Sequence, residues 1–190
     1  MSSVNVINIV SKNPVDKFFS ALKFEIVFEC LTELKNDIEW KLIYIGKADD
    51  TSFDQELESL LIGPLQIGQM KFDFEAEGPD FKKIPKEDLL GVTAIILTCS
   101  YKNQEFFRVG YYVNNVYTDE KLLLSPPEEP ELDKITRYIL HDKPRITKFN
   151  INWDSCVDNI PSYSNYHNDI HIGIQLSSET KEDLEKLKHS

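Results

Sequence analysis

EFFRVGYYVNN, residues 105–115, follows GVTAIILTCSY, residues 91–101, across only Lys102, Asn103 and Gln104, and this pair decides the fold. Both runs alternate with a period of two and are rich in β-branched and aromatic residues, as antiparallel strands are. A loop of about three residues suits a hairpin, and with it comes a parity. Ile95, Leu97, Cys99 and Tyr101 then share the core side of the sheet with Phe107, Val109, Tyr111 and Val113. The opposite side displays Val92, Ala94, Ile96, Thr98 and Ser100 beside Phe106, Arg108, Gly110 and Tyr112. A solvated sheet face is largely polar; this one is apolar around one arginine, so another element of the chain or a partner must cover it. A single Arg among aromatics has the composition of an interface anchor. The competing reading is an internal ion pair from Arg108 to Asp54 or Glu105.

The same alternation runs through the chain. In LKFEIVFEC (22–30), Leu22, Phe24, Ile26, Phe28 and Cys30 share one face, and IEWKLIYIG (38–46) and MKFDFEA (70–76) follow suit. Further strands are expected at VNVINIV (4–10), around ESLLIGPL (58–65), at TRYILHD (136–142) and at PRITKFNIN (144–152). Short helical turns suit SFDQ, DFKKIPKEDLL, TDEKLLL and ELDKI. Many short strands punctuated by Pro, Asn, Asp and Gly predict an all-β antiparallel sandwich with a few short helices in loops.

At 190 residues the chain suits one domain with its own core. A formal net charge of −11 disfavours direct contact with nucleic acid or an anionic membrane and suits a basic partner. The N-terminus lacks a basic region followed by an apolar core, and no run of about 18 apolar residues occurs, so neither secretion nor membrane spanning is expected. Cys30, Cys99 and Cys156 lack CxxC spacing, which argues against zinc and against a disulfide framework. Cys30, Trp40 and Cys99 imitate the Cys, Trp, Cys order of antibody domains, but Leu97 stands at the tyrosine-corner position. His141, His167, His171 and His189 form no HExxH, and G-x-S-x-G, P-loop and GxGxxG motifs are missing, so no enzyme, metal or cofactor is expected. The alternative function is a β-sandwich carrier for an apolar small molecule or lipid tail, which needs an open space between the sheets.

FEIVFECL, NDIEWKLIYIG, SFDQELESLLIGP, LTCSYKNQEFFRVGYYVNNVYTDE, LSPPEEPELDKI and KPRITKFNINWD together resemble the anti-silencing function family of histone H3/H4 chaperones. The resemblance covers residues 1–154 and implies an immunoglobulin-like sandwich. Residues 155–190 lie beyond it and read as a polar, acidic, flexible tail, with a short helix after Ser178 or Thr180. The resemblance implies a nuclear protein, a monomer alone, that binds the H3/H4 heterodimer, covers the H3 tetramerisation surface and passes histones on during nucleosome assembly and disassembly. Its H3 positions fall on Ile45, Asp49, Thr51, Asp54, Val92, Ala94, Arg108, Tyr112, Arg145 and Thr147. Its H4 positions, where a histone strand adds to the sandwich edge, fall on Val6, Tyr111, Arg145, Ile146, Thr147 and Phe149. A second surface, receiving a basic hairpin of the HIR-type chaperone and of the chromatin assembly factor, falls on Phe28, Asp37, Glu39, Glu58, Leu61, Ile62 and Phe72. Ala94 replaces the family's usual valine, a loss of about 1–2 kcal/mol if a cavity remained. Asn36 replaces an acid found in some relatives, worth about 0–1 kcal/mol for an exposed ion pair.

Overall fold

The structure, a computed structural model, describes residues 2–154; the expected tail and its helix, Cys156, His167, His171 and His189 lie outside the described residues. The strands are β1 (Val4–Ser11), β2 (Val15–Lys17), β3 (Leu22–Cys30), β4 (Ile38–Tyr44) and β5 (Gln55–Ile62), then β6 (Gly68–Ala76), β7 (Gly91–Tyr101), β8 (Gln104–Tyr117), β9 (Ile135–Ile139) and β10 (Arg145–Lys148). One sheet has the order β1-β3-β6. The other runs β2-β9-β8-β7-β4-β5, with β10 pairing beside β8. All pairings are antiparallel, as the alternating sequences require. Helix α1 (Glu120–Leu124) and single turns at Thr51–Phe53, Phe81–Lys83, Lys86–Asp88 and Leu132–Lys134 occupy the expected loops. Asp50, Asp80 and Asp119 begin three of these by accepting backbone N–H groups two residues on.

The core lies between the sheets. Leu22, Phe24, Ile26, Phe28 and Cys30 of β3 face Trp40, Leu42, Leu97, Val109 and Val113 of the larger sheet, all fully buried. Burying each large apolar side chain contributes about 1.5–3 kcal/mol. Trp40 sits among Phe28, Phe72 and Phe107, with ring centroids 6.5, 5.9 and 6.2 Å away. Tyr111 stacks on Phe24 at 6.0 Å. These rings fill the space that a carrier of apolar ligands would have to keep open. Cys30 and Cys99 are buried free thiols, one in each sheet, and burial pushes both thiol pKa values up.

The β7–β8 hairpin reaches the expected parity by a different route. Its loop has two residues, not three: Tyr101 pairs with Gln104, and Lys102 and Asn103 both take positive φ, 49° and 60°. Such a turn matches the twist of the strands it joins. The extra residue is a bulge, since Ser100 faces Glu105 whereas Cys99 faces Phe107. Phe106 is that extra residue, and its expected place on the outer row is corrected: it is buried against Trp153, centroids 4.9 Å apart. The bulge also puts Glu105 and Arg108 on one face, because Ser100 and Thr98 opposite them share a face.

Arg137 of β9 is 0% exposed, on the same face as Ile135 and Ile139. Its guanidinium donates to the carbonyls of Phe18 (3.3 Å), Ser20 (2.6 Å) and Ala21 (3.3 Å). Asp16 closes the same loop by accepting from Asn13, Ser20 and the Lys17 N–H, which holds its carboxyl below the usual range. Across the sheet from Arg137, Asn115 donates to the Tyr44 hydroxyl at 3.0 Å, and burial pushes that phenol up to about 12.

Candidate functional site

The outer face of β7–β8 forms the wall of a groove whose lining includes Ala94, Ile96, Arg108, Gly110, Tyr112, Arg145 and Thr147. Ala94, 8% exposed, clusters with Ile45 and Ile96, and Ile43 packs against them. The chain after β4 is strapped here: the Ile45 N–H donates to the Ala94 carbonyl at 3.0 Å, and Thr93 Oγ1 donates to the Ile45 carbonyl at 2.5 Å. A Cβ on Gly46 would collide with the Phe53 carbonyl, so only glycine lets the following turn close back on the groove. β10 builds the opposite wall, with Arg145 opposite Gly110 and Thr147 opposite Arg108. Val92, two residues before Ala94 on β7, is exposed, as are Asp49 and Thr51 on the turn, and the groove's lining does not include these three.

Arg108 answers the question posed by its own strand. Its Nε and Nη2 donate to the two carboxylate oxygens of Glu105 at 2.6 and 2.9 Å, and its guanidinium lies 5.8 Å from the Phe149 ring centroid. Of the two internal partners open in the sequence, Glu105 is therefore the one. A fork of this kind fixes orientation more than it adds stability. Asp54 keeps a buried carboxylate oxygen without a hydrogen-bond partner among the described residues. Burial, reinforced by Asp50, raises its pKa. Asp54 is half-buried and also accepts from the Gly46 N–H, so one carboxylate oxygen is left that suits an incoming cation.

A second groove runs along the flank between the sheets, lined by Val6, Ile7 and Ile9 of β1 and by Phe107, Val109, Tyr111, Ile146 and Lys148. Among the described residues β10 pairs with β8 alone, so its other edge has no strand partner there. Lys148 Nζ reaches Asn5 Oδ1 at 3.2 Å and spans the two sheets. Tyr111 is buried and also lines both grooves, which resolves its double reading: the ring is core and its edge is surface. Burial pushes its phenol up to about 12. Phe149 is partly exposed, its N–H donating to the Phe106 carbonyl at 2.9 Å.

Of the residues expected at the second surface, Asp37 and Glu39 lie just before and on β4, Glu58, Leu61 and Ile62 lie on β5, and Phe28 and Phe72 lie on β3 and β6 of the other sheet. Glu39 lies opposite Leu61, which is 64% exposed. Lys41 reaches Glu39 and Glu56, and Ser59 Oγ donates to Glu39 at 3.0 Å. Glu58 and Asp37 are exposed, and Asp37 sits so close to Gly63 that a Cβ there would collide with its carboxylate. Ile62 and Phe72 are half-buried. Phe28 is corrected: at 0% exposure it touches no solvent and acts only from below, edge-on to Phe72 at 6.1 Å. Ile96 and Gly110, which line the first groove, were missing from the expected sets, as was Glu105, the partner that orients Arg108. Ile96 follows from the parity of Ala94, but Glu105 needs the bulge.

The end of the described chain closes over the hairpin tip. Trp153 stacks on Tyr101 at 5.6 Å, and the Asp154 carboxylate accepts from Lys102, from the Tyr101 hydroxyl and from the Lys35 N–H. These donors, Lys102 first, hold that carboxyl well below the usual range. A depressed carboxylate contributes stability that is complete above its unfolded value of about 3.9 and is lost as the pH falls through the folded value. Asp154→Asn should therefore lower the urea midpoint at pH 7, with the gap to the wild type narrowing below about pH 4. A gap that stays constant down the pH range would contradict the latch.

Among the described residues no group of His, Cys, Asp and Glu is arranged to hold a metal ion, and no helix is long and apolar enough to cross a membrane. A family model described as ASF1 like histone chaperone matches residues 1–154. The chain is 53% identical over 153 residues to a protein of Arabidopsis thaliana named histone chaperone ASF1B, covering 80% of this chain and 70% of that one. It is 53% identical over 155 residues to the histone chaperone asf-1 of Neurospora crassa, covering 82% and 57%. It is 49% identical over 154 residues to the histone chaperone asf1 of Drosophila melanogaster, covering 81% and 71%. The matched region thus spans little more than half of the fungal relative's length and about seven-tenths of the other two.

Proposed function

Because the chain belongs to the ASF1 like histone chaperone family, we propose that it is a nuclear histone chaperone that binds one H3/H4 heterodimer and covers the H3 surface otherwise used for tetramerisation. The observation that carries this reading is the groove over Ile45, Ala94 and Ile96, apolar in its floor and edged by Arg108, Tyr112, Arg145 and Thr147. Floor and rim divide the work. The apolar floor supplies the desolvated anchor, while Asp49, Asp54 and the acidic chain at large steer a basic partner and raise its association rate. The edge of β10 that has no strand partner among the described residues supports strand addition by the H4 C-terminal segment, whose main-chain hydrogen bonds need no particular side chain. Arg145 and Thr147 then serve both histones, since β10 borders both grooves. The function is stoichiometric binding and transfer, with no bond made or broken.

The second surface, Asp37, Glu39, Glu58, Leu61, Ile62 and Phe72, suits a basic hairpin with an apolar tip, such as the HIR-type chaperone and the chromatin assembly factor would provide. Asp37→Arg should weaken a basic hairpin peptide at least tenfold and leave histone affinity within about twofold, because one rim charge reversed costs about 1.4 kcal/mol or more. Isothermal titration with each partner separates the two. Loss of both activities in a correctly folded variant would contradict two independent surfaces.

A further inference from the structure

The connection from α1 to the turn at Leu132–Lys134 reads SPPEEPE, residues 125–131, and few bonds hold it. Residues 126–130 belong to no helix or strand and make no backbone–backbone hydrogen bond among the described residues. Pro126, Pro127 and Pro130 have no N–H to offer. The segment is tied at its ends, where the Ser125 N–H donates to the Lys121 carbonyl at 3.0 Å and the Glu131 N–H to the Tyr117 hydroxyl at 2.9 Å. Between them Lys86 bridges to Glu129, an exposed pair worth about 0–1 kcal/mol. Leu123 and Leu124 are 57% and 84% exposed, and Ser125, Pro126 and Glu128 are exposed beside them. The stretch around Ser125 can therefore be drawn into a narrow cleft without breaking a sheet or opening the core.

Ser125 puts a hydroxyl nucleophile on that stretch. Its backbone has already left the helix, at φ −141° and ψ 78°, as the residue before a proline tends to. Of the nine prolines in the chain, Pro126 is the one that follows a serine or threonine. The other exposed hydroxyls of a described loop near it in character, Thr51 and Ser52, are held in a closed turn: the Ser52 N–H donates to Asp50 at 2.9 Å and the Asp54 N–H to the Thr51 carbonyl at 3.0 Å.

We propose that Ser125 is a phosphorylation site and that the modifying enzyme is a serine/threonine kinase directed by the proline that follows. A cleft that pairs the N–H of that position finds none on Pro126, whereas one that seats the ring against an apolar surface accepts it. In the transfer, Ser125 Oγ attacks the γ-phosphorus of Mg-ATP. A new P–O bond forms as the bond to the β,γ-bridging oxygen breaks, ADP leaves, and the hydroxyl proton passes to the kinase's catalytic carboxylate. The product adds about −1.5 to −2 charge at pH 7 beside Glu128, Glu129 and Glu131, deepening an acidic stretch of an acidic chain.

Incubation of the full 190-residue chain with a purified proline-directed kinase and Mg-ATP, followed by digestion and mass spectrometry, tests this. The expected result is phosphate on Ser125, transferred to the folded chain within about threefold of the rate for a synthetic peptide of residues 119–131, because the loop is already open. Pro126→Ala should slow transfer to Ser125 at least tenfold, and Ser125→Ala should remove that phosphate while the thermal melt stays unchanged. No phosphate on Ser125 would overturn the proposal, as would a peptide that is modified while the folded chain is not. Equal transfer to Pro126→Ala would also overturn it, by assigning recognition to Glu128 instead of the proline. Histones are not present, so the result is independent of the chaperone reading.

Discussion

Ala94→Arg should weaken H3/H4 binding at least a hundredfold, a loss of about 2.7 kcal/mol or more, without unfolding the protein. Ala94 sits on the groove floor between Ile45 and Ile96 and points away from the intersheet core. An arginine there fills the groove, places a cation against a basic partner and must be desolvated on binding. The fold has no reason to fail, because the new side chain can extend along the groove into water. Titration calorimetry and a thermal melt read the two effects apart. Unchanged affinity would remove this face from the binding site, and a collapsed melt would mean that Ala94 is core rather than surface.

Arg137→Met should destabilise the domain by about 3 kcal/mol, whereas Arg108→Met should change stability by no more than about 1 kcal/mol. The two arginines look alike in sequence but differ in what they leave behind. Removing Arg137 strips donors from the carbonyls of Phe18, Ser20 and Ala21 in a buried site, and each orphaned acceptor costs about 1–3 kcal/mol. Removing Arg108 breaks an ion pair to Glu105 in which both side chains stay partly solvated. Urea denaturation of both variants checks the ordering. Equal losses would mean either that the Phe18–Ala21 loop finds water when Arg137 is gone, or that the Glu105–Arg108 fork is structural.

Period-two alternation made most of this fold legible. The inner rows of β3, β4, β7 and β8 are the rows that alternation marks, and it overrules the placement of Phe28 on a binding surface: Phe28 has the parity of Leu22, Phe24 and Ile26 and shares their burial. Arg137 was legible by the same rule, in register with Ile135 and Ile139, although a charged side chain invites the opposite reading. Two features were not legible. β2 is three residues long and shows no period. The Phe106 bulge leaves the parity of every later residue as a three-residue loop would, so the sequence pattern cannot separate the two. Glu105 was open as a partner of Arg108 beside Asp54, but choosing it needs the bulge, since in a regular strand it would face away from Arg108. The groove itself was half legible: parity identified its β7–β8 wall, but bringing in Ile45 and β10 depends on contacts between residues far apart in the chain.

The central claim is that the groove takes the H3 surface that otherwise makes the histone tetramer. Light scattering after gel filtration of the protein mixed with excess H3/H4 tests it most directly. The expected result is a single species with the mass of one copy each of this chain, H3 and H4. A complex holding two H3/H4 pairs, or histones eluting as free tetramers, would contradict it.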